Sequence, residues 1–314
     1  MTDRAPEISV VIPAHNASAT LRRLLGLLSE QTLSRERYEV IVVDDGSDDD
    51  TSKRAGEFPG VMVLRQTCRG PGAARNRGAS AARGELILFL DADVEVTADL
   101  LSAHLRHHKA HPEVAATGGS VLPGQDAGVF SWSMVDHLSS WFNAHPQVTH
   151  HGPVEYLPSL NFCVSRSALQ RHGLSWESGL EHTGEDVVFC HRLRRRGLRI
   201  DFLPEAAVKH TDRRRFWDYM HHMYRWGYHA PFVRGRLDGL RYGSLFPPRL
   251  RWQLLTLPAV MVGSTMIVWT SWLRQRPLTV TLSLPQIFLG RGLAYGWGVV
   301  RGSIAADGAG RSRQ

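Results

Sequence analysis

Four short apolar runs, at residues 8–12, 40–43, 61–64 and 86–90, each stop abruptly and give way to a segment with helical spacing. Nothing else in the chain restricts its fold as much. Runs of four or five largely apolar residues without polar alternation suit strands buried on both faces. The first helix is marked by Leu21, Leu24, Leu25 and Leu28, with Ser18 placed to cap it. Ser47 is placed to cap the second, with aspartates in its first turn. Gly70-Pro71-Gly72 opens the third, which ends near Gly84. This β-α-β-α-β-α-β order predicts an α/β, Rossmann-like, mostly parallel sheet with helices on both faces. Such sheets hold ligands at the carboxyl ends of their strands. Asn16 follows the first run there, Asp44 and Asp45 the second, and Asp91, Ala92 and Asp93 the fourth.

Asp91 and Asp93 carry the strongest chemical implication. At a period of two they project to the same side as the strand leaves the core, where two like charges repel unless a cation sits between them. A hard divalent ion that also holds phosphates meets that need. The alternative is that both only open the next helix, near Thr97. Farther on, Glu185 and Asp186 begin a helix that stops at Gly197. Carboxylates there either complement the helix dipole or supply a general base at the mouth of a site. His210 follows another apolar stretch and is either a third metal ligand or a structural histidine. Arg225 and Trp226 join a cation to an aromatic ring, to close over a diphosphate or to pack.

Between these stretches the pattern is weaker. Residues 114–121 and 156–164 read as strands, separated by a Gly/Pro/Gln loop and by Trp132, Trp141, His150 and His151 in irregular context. That segment is either an acceptor-binding region or a packing insertion. Two other patterns lead nowhere. Gly70-Pro71-Gly72 resembles a dinucleotide fingerprint, but Arg75 occupies the third glycine position and the motif follows the wrong strand. His104, His107, His108 and His111 share a helix face at ligand spacing, yet they flank the Leu101/Leu105 packing face without a carboxylate pattern, as a helix edge does.

The net charge of +7, with much of its arginine after residue 190, suits anionic ligands or an anionic membrane surface as well as nucleic acid. Nothing resembles a nucleic-acid module, so no nucleic-acid partner is expected. Cys68, Cys163 and Cys190 are too few for a disulfide framework or a zinc site and are expected as reduced thiols in a cytosolic setting. Residues 1–7 show no signal-peptide pattern. Residues 252–273 carry no charge and are fenced by Arg249, Arg251, Arg274 and Arg276. That length clears the roughly 20 residues a span requires. A second apolar stretch, 278–300, is broken by Pro285 and Arg291. The expected organisation is a catalytic domain over 1–230, a basic linker over 231–250, a membrane-associated apolar helical hairpin over 251–303 and a disordered tail over 304–314.

Five segments, in order, resemble glycosyltransferase family 2, the inverting family with the GT-A fold: Val-Val-Ile-Pro13-Ala-His-Asn16, Val-Val-Asp44-Asp45-Gly46-Ser47, Gly72-Ala-Ala-Arg75-Asn76-Arg-Gly78, Asp91-Ala-Asp93 and Glu185-Asp186. The resemblance covers roughly residues 7–230. It implies that Pro13, His15 and Asn16 lie against the nucleotide, that Asp44 binds the base with Asp45 beside it, and that Arg75 supports the nucleotide. Asp91, next to Ala92, would reach ribose or metal, and Asp93 would ligate Mg2+ or Mn2+ on the diphosphate of a nucleotide-sugar donor. Asp186 would be the base, and His210 matches a position that faces the metal in some relatives. Arg225-Trp226 is similar to the end of an element of processive members, but His222 stands where Gln or Arg is expected, which argues against a processive polymerase. The implied activity is metal-dependent, inverting hexosyl transfer to a lipid-linked or surface-glycan acceptor, at the cytoplasmic face of the cell membrane. The alternative is an inactive nucleotide-sugar-binding subunit of a glycan-assembly complex.

Overall fold

The computed structural model describes residues 5–124, 131–139, 151–178, 180, 183–210, 214–237, 250–273 and 276–311. The chain divides into two units: Met1–Leu122 with Gln147–Glu181 and Glu185–Thr211, and Pro123–Pro146 with His182–Gly184 and Asp212–Gln314.

In the first unit the four apolar runs become β1 (Ile8–Ala14), β2 (Tyr38–Asp45), β3 (Val61–Gln66) and β4 (Leu86–Leu90). They pair in parallel in the order β3-β2-β1-β4, with α1 (Ser18–Ser29), α2 (Thr51–Gly56) and α3 (Pro71–Ala81) between them in sequence. All five side chains of β4 are buried, and α1 buries the four leucines that marked it. Each such leucine contributes about 1.5–3 kcal/mol over an exposed one. The caps differ from expectation. The Ala17 and Ser18 N–H groups at the start of α1 donate to Thr51 Oγ1 (2.9 Å) and Asp49 Oδ2 (3.2 Å). α2 begins at Thr51 rather than after Ser47, because the Ser47 hydroxyl accepts the Asn16 N–H at 2.9 Å. The β1–α1 and β2–α2 loops therefore satisfy one another's backbone.

Beyond β4 the sheet is antiparallel, which corrects the mostly parallel expectation to a mixed sheet. β8 (Asn161–Ser165) runs against both β4 and β6 (Val114–Pro123). β9 (Arg199–His210) runs against β5 (Val94–Val96) and β7 (Gly152–Pro153). A run buried on both faces reports burial and not direction, so either ladder fits it. β8 is also shorter than the strand expected over 156–164. Pro158 has no N–H to give a ladder, and the chain joins the sheet only after it.

α4 (Leu100–Ala110) carries His104, His107 and His108, with His111 as its C-cap, and the three within the helix form polar contacts within the fold. His104 Nδ1 lies 2.8 Å from Thr117 Oγ1 and its Nε2 3.2 Å from Asn161 Oδ1; His108 Nε2 is 3.1 Å from the same threonine hydroxyl. His107 faces Asp201 at 3.0 Å. Burial pushes His104 down to about 3 and His108 to about 4. Both are neutral in the native state at pH 5, whereas the unfolded chain protonates histidine near 6.5. The stability they contribute is therefore whole above about pH 6.5 and is lost as pH falls through the interval down to those values. Between pH 7 and pH 5 the loss of unfolding free energy in urea is expected to be about 2 kcal/mol smaller in His108→Gln than in the wild type. Equal losses would show that His108 is not held neutral.

The second unit is helical: α5 (Trp132–Ser139), α8 (Phe216–Arg234), α9 (Leu250–Trp272), α10 (Pro277–Leu282), α11 (Leu284–Ile287), a π-helical segment (Phe288–Ala294) and α12 (Tyr295–Arg311). Met134, Val135, Leu138, Tyr219, Met223, Val268, Trp272, Val280 and Ile287 form its core. The transmembrane expectation is overturned here: among the described residues no helix is long and apolar enough to cross a membrane. Gln253, Thr256, Thr265, Thr270 and Ser271 interrupt α9, and its Val268 and Trp272 turn into the helical core. α12 instead lies against α8. A Cβ on Gly298 would stand 2.1 Å from the Tyr224 carbonyl oxygen, and one on Gly302 1.9 Å from that of Tyr228. An apolar stretch that seals a helical bundle has the same composition as one that meets lipid. Trp132, expected in irregular chain, belongs to α5, and helix continues through 304–311 where a disordered tail was expected. Trp141, His150, most of the expected linker (238–249) and residues 312–314 lie outside the described residues.

Candidate active site

The carboxyl edge of β1 and β2 is a pair of interlocked loops. His15 Nδ1 donates to the Asp45 carbonyl at 2.9 Å, leaving Nε2 outward, 3.3 Å from Asn16 Nδ2. Asn16 adopts a left-handed backbone (φ 50°), and its Oδ1 accepts the Asp48 N–H at 2.9 Å. Pro13 and Ala14 lie beside Val43 and Asp44. Asp44 is buried; Oδ1 accepts the Ser47 N–H at 2.8 Å and Oδ2 the Ser52 hydroxyl. Burial alone would raise its pKa, but these hydrogen bonds outweigh it and hold the carboxyl below the ordinary range. Asp45 fastens the loop that precedes α3. It accepts from the Arg69 and Gly70 N–H groups, both at 2.8 Å, and from Gln66 Nε2 at 2.7 Å. Its carboxylate therefore shapes the pocket edge through the backbone.

Behind this edge lies a buried ionic cluster on α3. Arg75 is 2% exposed. Its Nη1 donates to Glu185 Oε1 at 2.8 Å, and its Nη2 to Asp91 Oδ1 at 2.6 Å and Ser159 Oγ at 2.9 Å. The guanidinium carbon lies 5.0 Å from the centre of the Trp176 ring, and Trp176 is clasped to α3 by two bonds with Asn76, of 2.9 and 2.8 Å. Burial raises the pKa of Asp91, against the pull of Arg75 and with the push of Asp93. The two aspartates are not strand residues, as the period-two rule requires, because β4 ends at Leu90 and a tight turn leads into β5. Asp91 meets Arg75, Ala92 joins the core, and Asp93 meets His210. Nor do they start a helix, since α4 begins only at Leu100.

Asp186 stands at the start of α7 (Glu185–Arg195). Its Oδ2 accepts the Tyr156 hydroxyl at 2.7 Å and the Ser159 N–H at 3.4 Å, and its Oδ1 accepts the Val187 N–H at 2.8 Å. Burial, with the adjoining Glu185 charge, pushes its carboxyl up to about 6, against the hydrogen bonds it receives. That places a proton acceptor close to neutral pH.

A divalent cation has two protein groups to meet at the other end. β5 pairs Val94 with His210 of β9, and this brings His210 Nε2 to 3.6 Å from Asp93 Oδ2. Neighbouring ligands of one octahedral ion lie roughly 3 Å apart, so the pair would fit as two ligands of such an ion. Among the described residues no group of three or more His, Cys, Asp or Glu is disposed to hold a metal alone.

A sequence-family model described as glycosyl transferase family 2 matches residues 9–174. The chain belongs to glycosyltransferase family 2. The pre-mycofactocin glycosyltransferase of Mycobacterium tuberculosis is 30% identical over 269 residues, covering 84% of this chain and 52% of its own. The chain thus spans about half the length of that curated relative. The poly(ribitol-phosphate) beta-glucosyltransferase of Bacillus spizizenii is 37% identical over 101 residues, 30% of this chain and 16% of its own. Among solved structures, S. aureus TarS 1-349 in complex with UDP-GlcNAc aligns with a TM-score of 0.57 at 18% identity, over 96% of this chain and 92% of the other. The mannosyltransferase PcManGT of Pyrobaculum calidifontis, in complex with GDP-Man and Mn2+, aligns at 0.58 and 19% identity, over 99% and 89%. At such identities the likeness is one of fold.

Within this family 2 glycosyltransferase the first unit gathers Arg75, Asp91 and Glu185 into one cluster, with Asp186 linked to it through Ser159. Arg225 and Trp226 belong to α8 of the second unit. Trp226 packs on that unit's core, with the Arg291 guanidinium 5.5 Å from its ring, and Arg225 lines an open cavity of about 400 Å³ with Trp217, Asp218, His221 and His222. Sequence reasoning gave no part to Tyr156, Ser159 or Trp176. Tyr156 and Ser159 were read as strand, and a strand reading hides loop side chains; Asn76, directly after Arg75, was the available clue to Trp176.

Proposed function

We propose that the protein transfers a hexosyl group, with inversion, from a nucleotide-diphosphate sugar to a hydroxyl of a lipid-linked or surface-glycan acceptor. The observation that carries this reading is the placement of Asp186, held at the start of α7 by Tyr156 and joined through Ser159 and Arg75 to Asp91 at the mouth of β4. In a single displacement the acceptor oxygen bonds to the anomeric carbon as the bond to the diphosphate breaks on the opposite face. The hydroxyl proton passes to Asp186. No enzyme nucleophile is required, and inversion follows. Asp93 and His210, with Asp91 near them, would hold Mg2+ or Mn2+, which when bound neutralises the departing diphosphate as a Lewis acid. Pro13, His15 and Asn16 form the rim offered to the nucleotide. Asp44 and Asp45 keep that rim in shape, and Asp44 remains the residue we assign to the base. A hydroxyl-bearing polymer as acceptor is suggested by the poly(ribitol-phosphate) in the name of the Bacillus relative; a lipid-linked acceptor at the cytoplasmic face of the membrane is part of the same proposal.

Calorimetric titration with UDP, GDP, CDP and dTDP, each with Mn2+ and with EDTA, tests the donor half. One nucleotide is expected to bind at least about tenfold tighter with metal, a difference of about 1.4 kcal/mol. Equal affinity in EDTA overturns the metal role, and the absence of any nucleotide binding overturns the reading as a whole. A product with retained anomeric configuration overturns inversion.

A further inference from the structure

Tyr156 and Asp186 come from different elements, and their contact is fixed from both sides. Tyr156 precedes Leu157, whose N–H lies 3.4 Å from Cys190 Sγ and whose carbonyl accepts the Cys190 thiol at 3.6 Å. Cys190 is one turn beyond Asp186 on the same helix. Two residues after Leu157, Ser159 presents its N–H to Asp186 Oδ2 and its hydroxyl to Arg75. The segment is thus fastened to the helix that carries Asp186, and the phenol reaches the carboxylate at 2.7 Å.

We infer that Tyr156 is a positioning residue for the reaction: it occupies Asp186 Oδ2 and so reserves Oδ1 as the atom that receives the acceptor's proton. This rests on the base role proposed for Asp186. Oδ1 holds one backbone bond, from Val187 at 2.8 Å, and keeps a lone pair for the substrate. In the step, the acceptor O–H bond breaks toward Oδ1, the acceptor oxygen bonds to the anomeric carbon, and the diphosphate leaves with the electron pair of the broken bond. Protonated at Oδ1, the carboxyl presents Oδ2 as a carbonyl oxygen, which still accepts from Tyr156, so the contact persists through the transfer. Burial, reinforced by the facing Asp186, raises the phenol pKa well above its ordinary value, so Tyr156 remains a donor. Among the described residues, the charged or titratable groups around Asp186 are Glu185 and Cys190 of its own helix, Tyr156 of the preceding segment and Arg75 of α3.

Tyr156→Phe keeps the ring and removes the donor. It is expected to lower kcat about ten- to a hundredfold, as for a lost hydrogen bond to a charged group, with the donor KM nearly unchanged. The acid limb of kcat/KM should move upward by about one pH unit. Carboxyl 13C resonances of Asp-labelled protein, with Asp186 assigned by the signal missing in Asp186→Asn, should show the same upward movement without any assay of transfer. An acid limb and a 13C titration both unmoved in Tyr156→Phe overturn the inference. Transfer abolished by Asp186→Asn but untouched by Tyr156→Phe overturns it alone, whereas no transfer by the wild type overturns the base role on which it stands.

Discussion

Asp186→Asn is expected to lower turnover about 10²–10⁴-fold while leaving nucleotide affinity nearly unchanged. That range is what a positioned general base supplies, and a group that acts only in the transition state lowers kcat without weakening ground-state binding. Asn is nearly isosteric, and its amide oxygen can still accept from Tyr156 and Ser159, so only the bond from the Val187 N–H is given up. What is lost is the proton acceptor at about 6. In the wild type, kcat/KM should therefore fall tenfold per unit as pH drops below about 6, because the protonated carboxyl takes no further proton. The variant should lack that limb. Single-turnover rates with saturating donor, together with nucleotide titration, check both halves; unchanged turnover would remove Asp186 from the base role.

The second large effect falls on stability. Arg75→Ala leaves Asp91 and Glu185 partly or wholly buried without their shared cation, and it removes the guanidinium from the Trp176 face. Breaking a buried ion pair from one side costs about 3–5 kcal/mol, against about 5–15 kcal/mol of net stability in a typical domain. Arg75→Lys should recover only part of this loss. A single ammonium cannot span Asp91, Glu185 and Ser159 as the planar, forked guanidinium does. Urea unfolding monitored by tryptophan fluorescence measures the difference. A loss below about 1 kcal/mol would show that the two carboxylates find other partners or take up protons.

The parallel half of the sheet could be read from the sequence because each of its strands contains a short, largely apolar run, and helical spacing separates one run from the next. The antiparallel half could not. Residues 114–119 of β6, 161–164 of β8 and 200–203 of β9 are buried, and the direction of these strands is set by connections whose composition carries no sign of it. The site divides in the same way. Asp91, Asp93 and Asp186 were visible as charges where charges are costly, whereas Tyr156 and Ser159 are unremarkable residue types made important by the turn that holds them. Arg75 was noticed, but the bonds of its Nη1 and Nη2 to Glu185, Asp91 and Ser159 are revealed only by three-dimensional proximity. At the C-terminus, hydropathy measured how apolar the chain is but not what the apolar face meets.

The β5–β9 pairing has a consequence for how the protein comes to exist. Asp93 lies early in the chain, and its partner His210 arrives only with the last strand of the sheet. Pairings between such distant segments form slowly, because a long loop must close before any contact offsets its entropy. During synthesis, with N-terminal segments emerging first, the parallel half can collapse well before β9 is available. In refolding experiments, cation binding should therefore lag behind the recovery of secondary structure, and the time between them reports the docking of a single strand.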